Sequence, residues 1–545
     1  MVFNPTTGSI FIAKDPFGYS AIFYRKTSDQ FYFSTLTNTL LSISTLANQT
    51  NFNQLFRQSI AFVGPSISET LIENLYSVEC GTYALWDKSL TEKKLKYFSL
   101  QKLDSIRYRD DLDYSFSLSS IFSLSVKSKI RDCKSVGIFL SGGLDSTGVA
   151  HFASNELANQ GEILNSFTSF PYYLNEISQN QLAVANEVPL VRKFIQVHKN
   201  IEANFYNFPE ARLSDLLLSE YTKDAYTPIV NPNSFWIEGI LSEIKNKKIL
   251  VVLNGQLGNY TLTPSAPFIH SEMFISLHFF SLFKDLWTIS QKKAQPVLQT
   301  FKIRVLGPLR FQLSSFKKNY LFYFSDYYIS DSMFNKTAID IKSHKFKKGY
   351  EFVPFYSCIK SSRDLRQIQL STISRIAGKI WYREAEKKGL QISDPTSDHR
   401  LILYSFSIPE KEYNKCGIHK AVFRNMMMGR IPNDLLDNSN KMVQSFDIGS
   451  RFKKDDGIKL ILDEVLANSS QIPFINPKSL SNLYEEIINS NSGVFIYPKI
   501  FQFLTNLSLV LFFFGVNRLT SPQNSSNAFS RSFKMGKTSH DEFKH

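Results

Sequence analysis

The sequence predicts an α/β fold built on a parallel sheet, with a β-rich segment before it and a helical region after it. Three observations predict this. Val136-Gly-Ile-Phe-Leu140 is a short apolar run of the kind that forms a strand buried on both faces. It leads into a glycine- and serine-rich loop, Ser141-Gly-Gly-Leu-Asp-Ser146, and then into Val149, Phe152, Ala153 and Leu157 at helical spacing. A second apolar run, Ile249-Leu-Val-Val-Leu253, ends in Asn254-Gly255 in the same manner. Strand, loop and helix in alternation give parallel pairing.

A chain of 545 residues exceeds one ordinary core, so two or more domains are expected. Apolar residues at 43% and aromatic residues at 14% argue against global disorder. The composition divides the chain into a β-rich segment over 1–105, the α/β unit with its helical continuation over 106–518, and a tail over 519–545. That tail is rich in Ser, Asn and Lys and is expected to be disordered.

In the first segment Ile10–Ala13 reads as a strand. Lys14-Asp-Pro-Phe-Gly18 is a turn, in which Pro fixes φ and Gly closes the reversal. Ala21–Tyr24 and Phe31–Phe33 are further strands with a turn at Thr27–Asp29, so residues 9–34 predict a β-meander, and a third turn at Glu79–Gly81 leads into Thr82–Trp86. Residues 111–129 read two ways. Phe-Ser-Leu-Ser alternates as a strand does, while Tyr114, Leu118, Ile121, Phe122 and Val126 share one helix face. Residues 270–515 read as mainly helical. The apolar run Leu509–Val516 is shorter than the roughly 20 residues that cross a bilayer, so a buried helix is expected there and no membrane partner.

Lys and Arg outnumber Asp and Glu by 62 to 48, a formal charge of +14, which suits anionic partners. The densest basic stretch, Lys342–Lys348, is short and remote from the glycine loop, and it does not form a nucleic-acid-binding module. No nucleic-acid partner is expected. Cys80, Cys133, Cys358 and Cys416 are scattered, with no CxxC, so neither zinc nor an iron–sulfur cluster is indicated. Sparse cysteines and the lack of a signal-peptide pattern fit the cytoplasm.

The glycine loop carries the chemistry. A loop between a strand and a helix N-terminus presents backbone N–H groups that cradle phosphate oxygens. Leu140, Ser141, Gly142, Gly143, Leu144, Asp145 and Ser146 are therefore the candidate nucleotide-phosphate-binding residues. The glycines permit close approach, and the two serines add hydroxyl donors. Asp145 repels a phosphate directly, and its sensible role is to hold Mg²⁺, which in turn bridges phosphates. No Lys follows the loop, so it is not the GxxxxGK[ST] type.

This loop resembles that of the ATP-pyrophosphatases, which include asparagine synthetases, β-lactam synthetases, GMP synthetases and some tRNA-modifying ligases. The flanks resemble asparagine synthetases in particular. Phe11–Gly18, Ile22–Tyr24, Phe31–Ser34 and Leu75–Trp86 are similar to the end of that family's glutaminase domain. Ile392–Pro409 resembles its Pro-Phe-Leu-Asp block, with Asp398 in the Asp position, and Gly417–Pro432 resembles its Arg-containing helix, which here carries Arg424. The resemblance implies an adenine nucleotide alpha-hydrolase-like domain preceded by a remnant of an N-terminal-nucleophile α+β glutaminase domain. It places a helix at 111–129. It adds Asn254, Gly255 and Gln256 to the ATP site, Asp145 and Asn259 as the Mg²⁺ ligands, and Lys441 beside Asp145 as catalytic.

The departures are specific. The family has a catalytic Cys after its initiator Met, where this chain has Val2, so no glutaminase activity is expected of it. Ammonia or a substrate amine is expected from outside, from solution, a separate amidotransferase or a dimer partner. The family's Gly-Glu-Gly-Ala-Asp loop reads Gly255-Gln-Leu-Gly-Asn259 here, which replaces two carboxylates by amides. Gln256 cannot act as a general base, and Asn259 offers Mg²⁺ only a neutral carbonyl. The expectation is an AMP-forming amide ligase acting on a small-molecule or peptide carboxylate, as lasso-peptide cyclases of this family do. The alternatives are an ATP-binding relative without turnover and a tRNA-modifying enzyme. His151 and His419 are expected to be structural.

Overall fold

The computed structural model describes residues 1–43, 46–59, 68–100, 103–174, 185–317, 359–415, 417–438, 443–472, 475–490 and 496–520. Strands β1 Val2–Asn4, β2 Ser9–Ala13, β3 Phe23–Lys26, β4 Phe31–Ser34, β5 Tyr76–Ser77, β6 Thr82–Trp86 and β7 Glu92–Lys96 lie in the first segment. The expected strands are present, but they do not form one meander. They divide into two antiparallel sheets, β1-β2-β6-β7 and β4-β3-β5. The reason lies in the connection after β2. Asp15 folds the turn onto itself by accepting from Phe17 N and Tyr19 N at 3.0 and 3.1 Å, and from Ser20 N and Oγ at 3.0 and 2.6 Å. That length of turn carries the chain past hairpin range. The two sheets share a core in which Tyr24 and Phe31 pack on buried Trp86, with ring centroids 5.1 and 4.8 Å apart.

The central sheet is fully parallel. It adds β8 Val136–Phe139, β9 Leu164–Ser169, β10 Ile201–Tyr206, β11 Val251–Leu253 and β12 Gln391–Ser393, in the spatial order β10-β9-β8-β11-β12. The first strand of the set is central, and later strands are added on one side and then on the other. The order therefore reverses between β8 and β11, and the crevice beyond their C-terminal ends is where open α/β sheets bind ligands. Both apolar runs form strands, although the second is two residues shorter than its pattern, and Ile249 N still donates to Ile244 O of the preceding helix at 3.2 Å.

Residues Asp111–Lys129 form helix α1, which settles the open reading. Asp110 caps it by accepting from Leu112 N at 2.9 Å. Tyr114, Leu118, Phe122 and Val126 follow at four-residue steps and are buried. The serines that imitated strand alternation tie the helix down. Ser115 donates to Val422 O at 3.0 Å and Ser125 to Pro395 O at 2.6 Å. Helix α2, Leu144–Ala158, follows the glycine loop, and α3, Val188–Gln196, packs beside it. Helix α4, Ser362–Lys387, crosses the Lys14–Gly18 turn so closely that a Cβ on Gly378 would lie 2.5 Å from Gly18 O.

The last helix, α5, runs from Tyr497 to Thr520 and is longer than the apolar run alone. It is long and apolar enough to cross a membrane by length and composition, yet 72% of that window is buried within the protein. Phe503, Leu504, Leu507 and Val510 share one core with Phe23, Leu40 and Leu71 of the first segment and with Phe167 and Val252 of the central sheet. The tail beyond Thr520 lies outside the described residues.

Candidate functional site

The glycine loop leaves β8 and enters α2 with Gly143 as N-cap, so the first-turn amides of α2 open into the crevice. The loop holds its own shape. Ser141 Oγ and Ser146 Oγ lie 2.8 Å apart, Ser141 N donates to Ser146 Oγ at 3.1 Å, and Gly143 N donates to Ser141 Oγ at 3.2 Å. Leu140 is fixed by its neighbour strand, accepting from Thr168 Oγ1 at 2.7 Å.

The second loop, Asn254–Asn259, comes off β11 and closes directly on Asp145. A Cβ on Gly255 would lie 3.4 Å from the Asp145 backbone, and one on Gly258 would lie 2.5 Å from the Asp145 carboxyl carbon. Gly258 is required by that approach, whereas a Cβ on Gly255 would meet its neighbours at ordinary van der Waals distance. Thr263, just beyond the loop, donates to Asp145 Oδ1 and Oδ2 at 2.8 and 3.1 Å. Asn254 is buried, and its Nδ2 meets no acceptor among the described residues, so a donor is left free at the switch point.

A family model described as Asparagine synthase matches residues 117–494. The chain belongs to the asparagine synthase family. Asparagine synthetase [glutamine-hydrolyzing] 2 of Bacillus subtilis (strain 168) is 26% identical over 165 residues, which are 28% of this chain and 22% of that protein. A putative asparagine synthetase [glutamine-hydrolyzing] 2 of Methanocaldococcus jannaschii is 23% identical over 261 residues, 47% of each. The matched stretches thus span less than half the length of these curated relatives.

Within this asparagine synthase fold the structure brings together Ser141–Ser146, Asn254, Gly255 and Asp145. Gln256 is half-buried and accepts from Trp381 Nε1 of α4 at 3.3 Å, which ties its amide to the scaffold. Asn259 is exposed in the short helix Gly258–Thr261. Lys441 lies outside the described residues, as do Cys358, Cys416 and the basic stretch Lys342–Lys348. Asp398 caps the helix His399–Ser407, accepts from Arg400 N at 2.8 Å and pairs with the Arg400 guanidinium, a structural role. His151 is buried against His198, and His419 meets Asn414 Oδ1 at 2.6 Å.

Sequence reasoning missed Asp394, the residue on which the second loop rests. Its fully buried carboxylate accepts from Leu257 N at 2.9 Å, Tyr19 Oη at 2.7 Å, and Thr396 N and Oγ1 at 2.7 and 2.5 Å. The Asp-Pro-Thr pattern closing an apolar strand is a capping signal that could have pointed to it. Tyr19 belongs to the turn after β2, so this bond joins the first segment to the second loop.

The electrostatics centre on Asp145. Burial pushes its carboxyl up to about 6, and the charge of Asp394 adds to this, while Lys420 and the Thr263 hydroxyl pull it down. Among the described residues its oxygens accept from one hydroxyl and no cluster of three metal-ligating side chains is present, so this lone carboxylate fits Mg²⁺ only if the cation takes its other oxygens from phosphate and water.

Proposed function

We propose that this chain is an AMP-forming ligase that joins an amine to a carboxylate. The observation that carries the reading is the closure of the second loop onto Asp145, with the Gly258 Cα packed against its carboxyl, at the reversal point of the sheet. The glycine-loop amides bind the phosphates, and Asn254 Nδ2 offers a further donor. Mg²⁺ held by Asp145, with Asn259 as a weaker neutral ligand, would offset phosphate charge.

In the first step a substrate carboxylate oxygen attacks the α-phosphorus, and pyrophosphate leaves. The glycine-loop amides stabilise the charge on the departing group. In the second step the amine nitrogen attacks the acyl carbon, loses a proton and displaces AMP. Lys441 is proposed to neutralise the developing oxyanion. Gln256 takes no part in proton removal, so the amine arrives as the free base or delivers its proton to another group. The substrate class is a small-molecule or peptide carboxylate, with ammonia or a substrate amine from solution or from a partner chain.

The test is pyrophosphate release from ATP and Mg²⁺ with aspartate and ammonium, beside Asp145→Ala. Release that needs aspartate and vanishes in the variant supports asparagine-type chemistry. Release with other carboxylates only moves the substrate, not the reaction class. ATP binding with no release from any carboxylate establishes the second reading, a nucleotide-binding relative without turnover, which the amides at Gln256 and Asn259 favour.

A further inference from the structure

The helix Phe279–Lys292 is apolar on two sides. Leu282, Leu286 and Ile289, at four- and three-residue steps, are buried, and the first two share a core with Met273 and Val305. The other side of a surface helix ordinarily carries polar residues. Here it carries Phe280, Phe283 and Trp287, again at three- and four-residue steps and all exposed, with the Phe283 and Trp287 rings stacked at 6.1 Å between centroids. Leu277 precedes them, and Leu298 and Ile303 of the next two elements are exposed as well. Single apolar residues scattered over a surface need no explanation, but a row of large ones along one helix face does.

The charge around this face is of one sign. Lys284, Lys292, Lys293, Lys302 and Arg310 are exposed, and among the described residues none of them forms an ion pair. Between Ile269 and Leu313 the acidic residues are Glu272 and Asp285. Both are engaged in the interior. Glu272 accepts from Ser362 N at 2.6 Å, and Asp285 is buried beside His270.

We propose that this face binds the surface of an anionic lipid membrane, with Phe280, Phe283 and Trp287 entering the acyl boundary and the lysines meeting the headgroups. Large apolar side chains flanked by unpaired cations are the composition of a face that lies on a membrane. Two other occupants fit less well. A second copy of this chain would set an unneutralised basic face against itself. A peptide would need walls, whereas Phe280 is 85% exposed and Leu277 71%, so these side chains project and do not line a groove. The expectation of no membrane partner came from the length of a spanning run, which a face lying on the surface does not require. No residue of the ATP site takes part, so the inference stands apart from the ligase reading.

The experiment is sedimentation of the full chain with vesicles of phosphatidylcholine alone and of phosphatidylcholine mixed with phosphatidylglycerol, read also by tryptophan fluorescence. Trp86, Trp236 and Trp381 are buried and Trp287 is exposed, so a blue shift on adding vesicles reports Trp287. Wild type is expected to sediment with the phosphatidylglycerol vesicles, with a blue shift, and more weakly with phosphatidylcholine alone. Phe280→Ser, Phe283→Ser and Trp287→Ser combined should weaken that binding by about tenfold or more. Lys284→Gln with Lys292→Gln leaves every aromatic ring in place and should also weaken it by about tenfold or more. No sedimentation of wild type with either vesicle overturns the proposal, and so does binding that both variants keep in full. A wild-type dimer that the triple variant loses, seen by sedimentation velocity and without vesicle binding, overturns it too and gives the face to a second copy.

Discussion

Thr263 and Asp145 are joined by one hydroxyl that bridges both carboxylate oxygens, at 2.8 and 3.1 Å. The bond favours the ionised acid, in a place where burial favours the neutral one. Thr263→Val keeps the shape and removes the donor, so the Asp145 carboxyl should rise above its present value of about 6. An ionised Asp145 is what a cation needs. The acidic edge of the pH profile for pyrophosphate release should therefore move to higher pH, by about 0.7 unit if the bond contributes about 1 kcal/mol. An edge that stays in place would show that another group sets it.

Gly258→Ala tests the closure of the two loops. Its Cβ would come within 2.5–2.6 Å of Asp145 Cγ, Oδ1 and Cβ. Relief requires moving a buried carboxylate or the loop, at roughly 1–3 kcal/mol. Circular dichroism should show the fold retained, while ATP affinity drops by tenfold or more. Wild-type affinity in this variant would mean that the nucleotide does not use the junction.

Tyr19→Phe removes the hydroxyl that ties the first segment to Asp394, and hence to Leu257 N. Burial holds the Asp394 carboxyl above its usual range, and the hydroxyls of Thr396 and Tyr19 oppose that rise. Loss of one such donor should cost about 1–3 kcal/mol in urea unfolding. Because the same carboxylate positions the second loop, ATP affinity should fall with stability. A stability loss with unchanged ATP affinity would confine Asp394 to holding the two segments together.

These contacts show what could be read without coordinates. The glycine loop and its two strands were legible because the signal is local: an apolar run, special backbone residues and a helix pattern within about 20 consecutive positions. Helix α1 was ambiguous because Ser115 and Ser125 are buried donors, and a polar residue at a core position breaks the pattern. The meander failed because Asp15 lengthens a connection that reads as a short turn. Thr263, 118 residues from Asp145, and Asp394, 375 residues from Tyr19, are brought in by tertiary folding. Nothing in their immediate sequence marks the group they will meet.

The buried histidine pair gives a final prediction about stability. His198 Nδ1 lies 3.0 Å from Phe194 O, a carbonyl that can only accept, so Nδ1 carries the proton and Nε2 is bare. His151 Nδ1, 2.9 Å from that Nε2, must then be the donor, which leaves His151 Nε2 to accept from Asn155 Nδ2 at 3.1 Å. The chain of bonds is complete with both rings neutral. A proton on either ring places two donors face to face. In line with this, burial lowers the His151 value from 6.5 to about 4, and His198 and Arg430 add to the effect. Burial also lowers His198. With the folded value depressed, the unfolded chain binds more protons between pH 4 and 6.5. The contribution to stability is therefore fully present above pH 6.5 and is lost as pH falls toward 4. For His151 this amounts to about 3 kcal/mol across the window. His151→Gln cannot titrate, so its urea-unfolding free energy should fall less steeply over that range than that of wild type, whatever its absolute stability. The carboxylates titrate in both proteins and cancel in the comparison. Parallel slopes would mean that the pair accommodates a proton, through a ring flip or a tautomer change that the present bonding does not show.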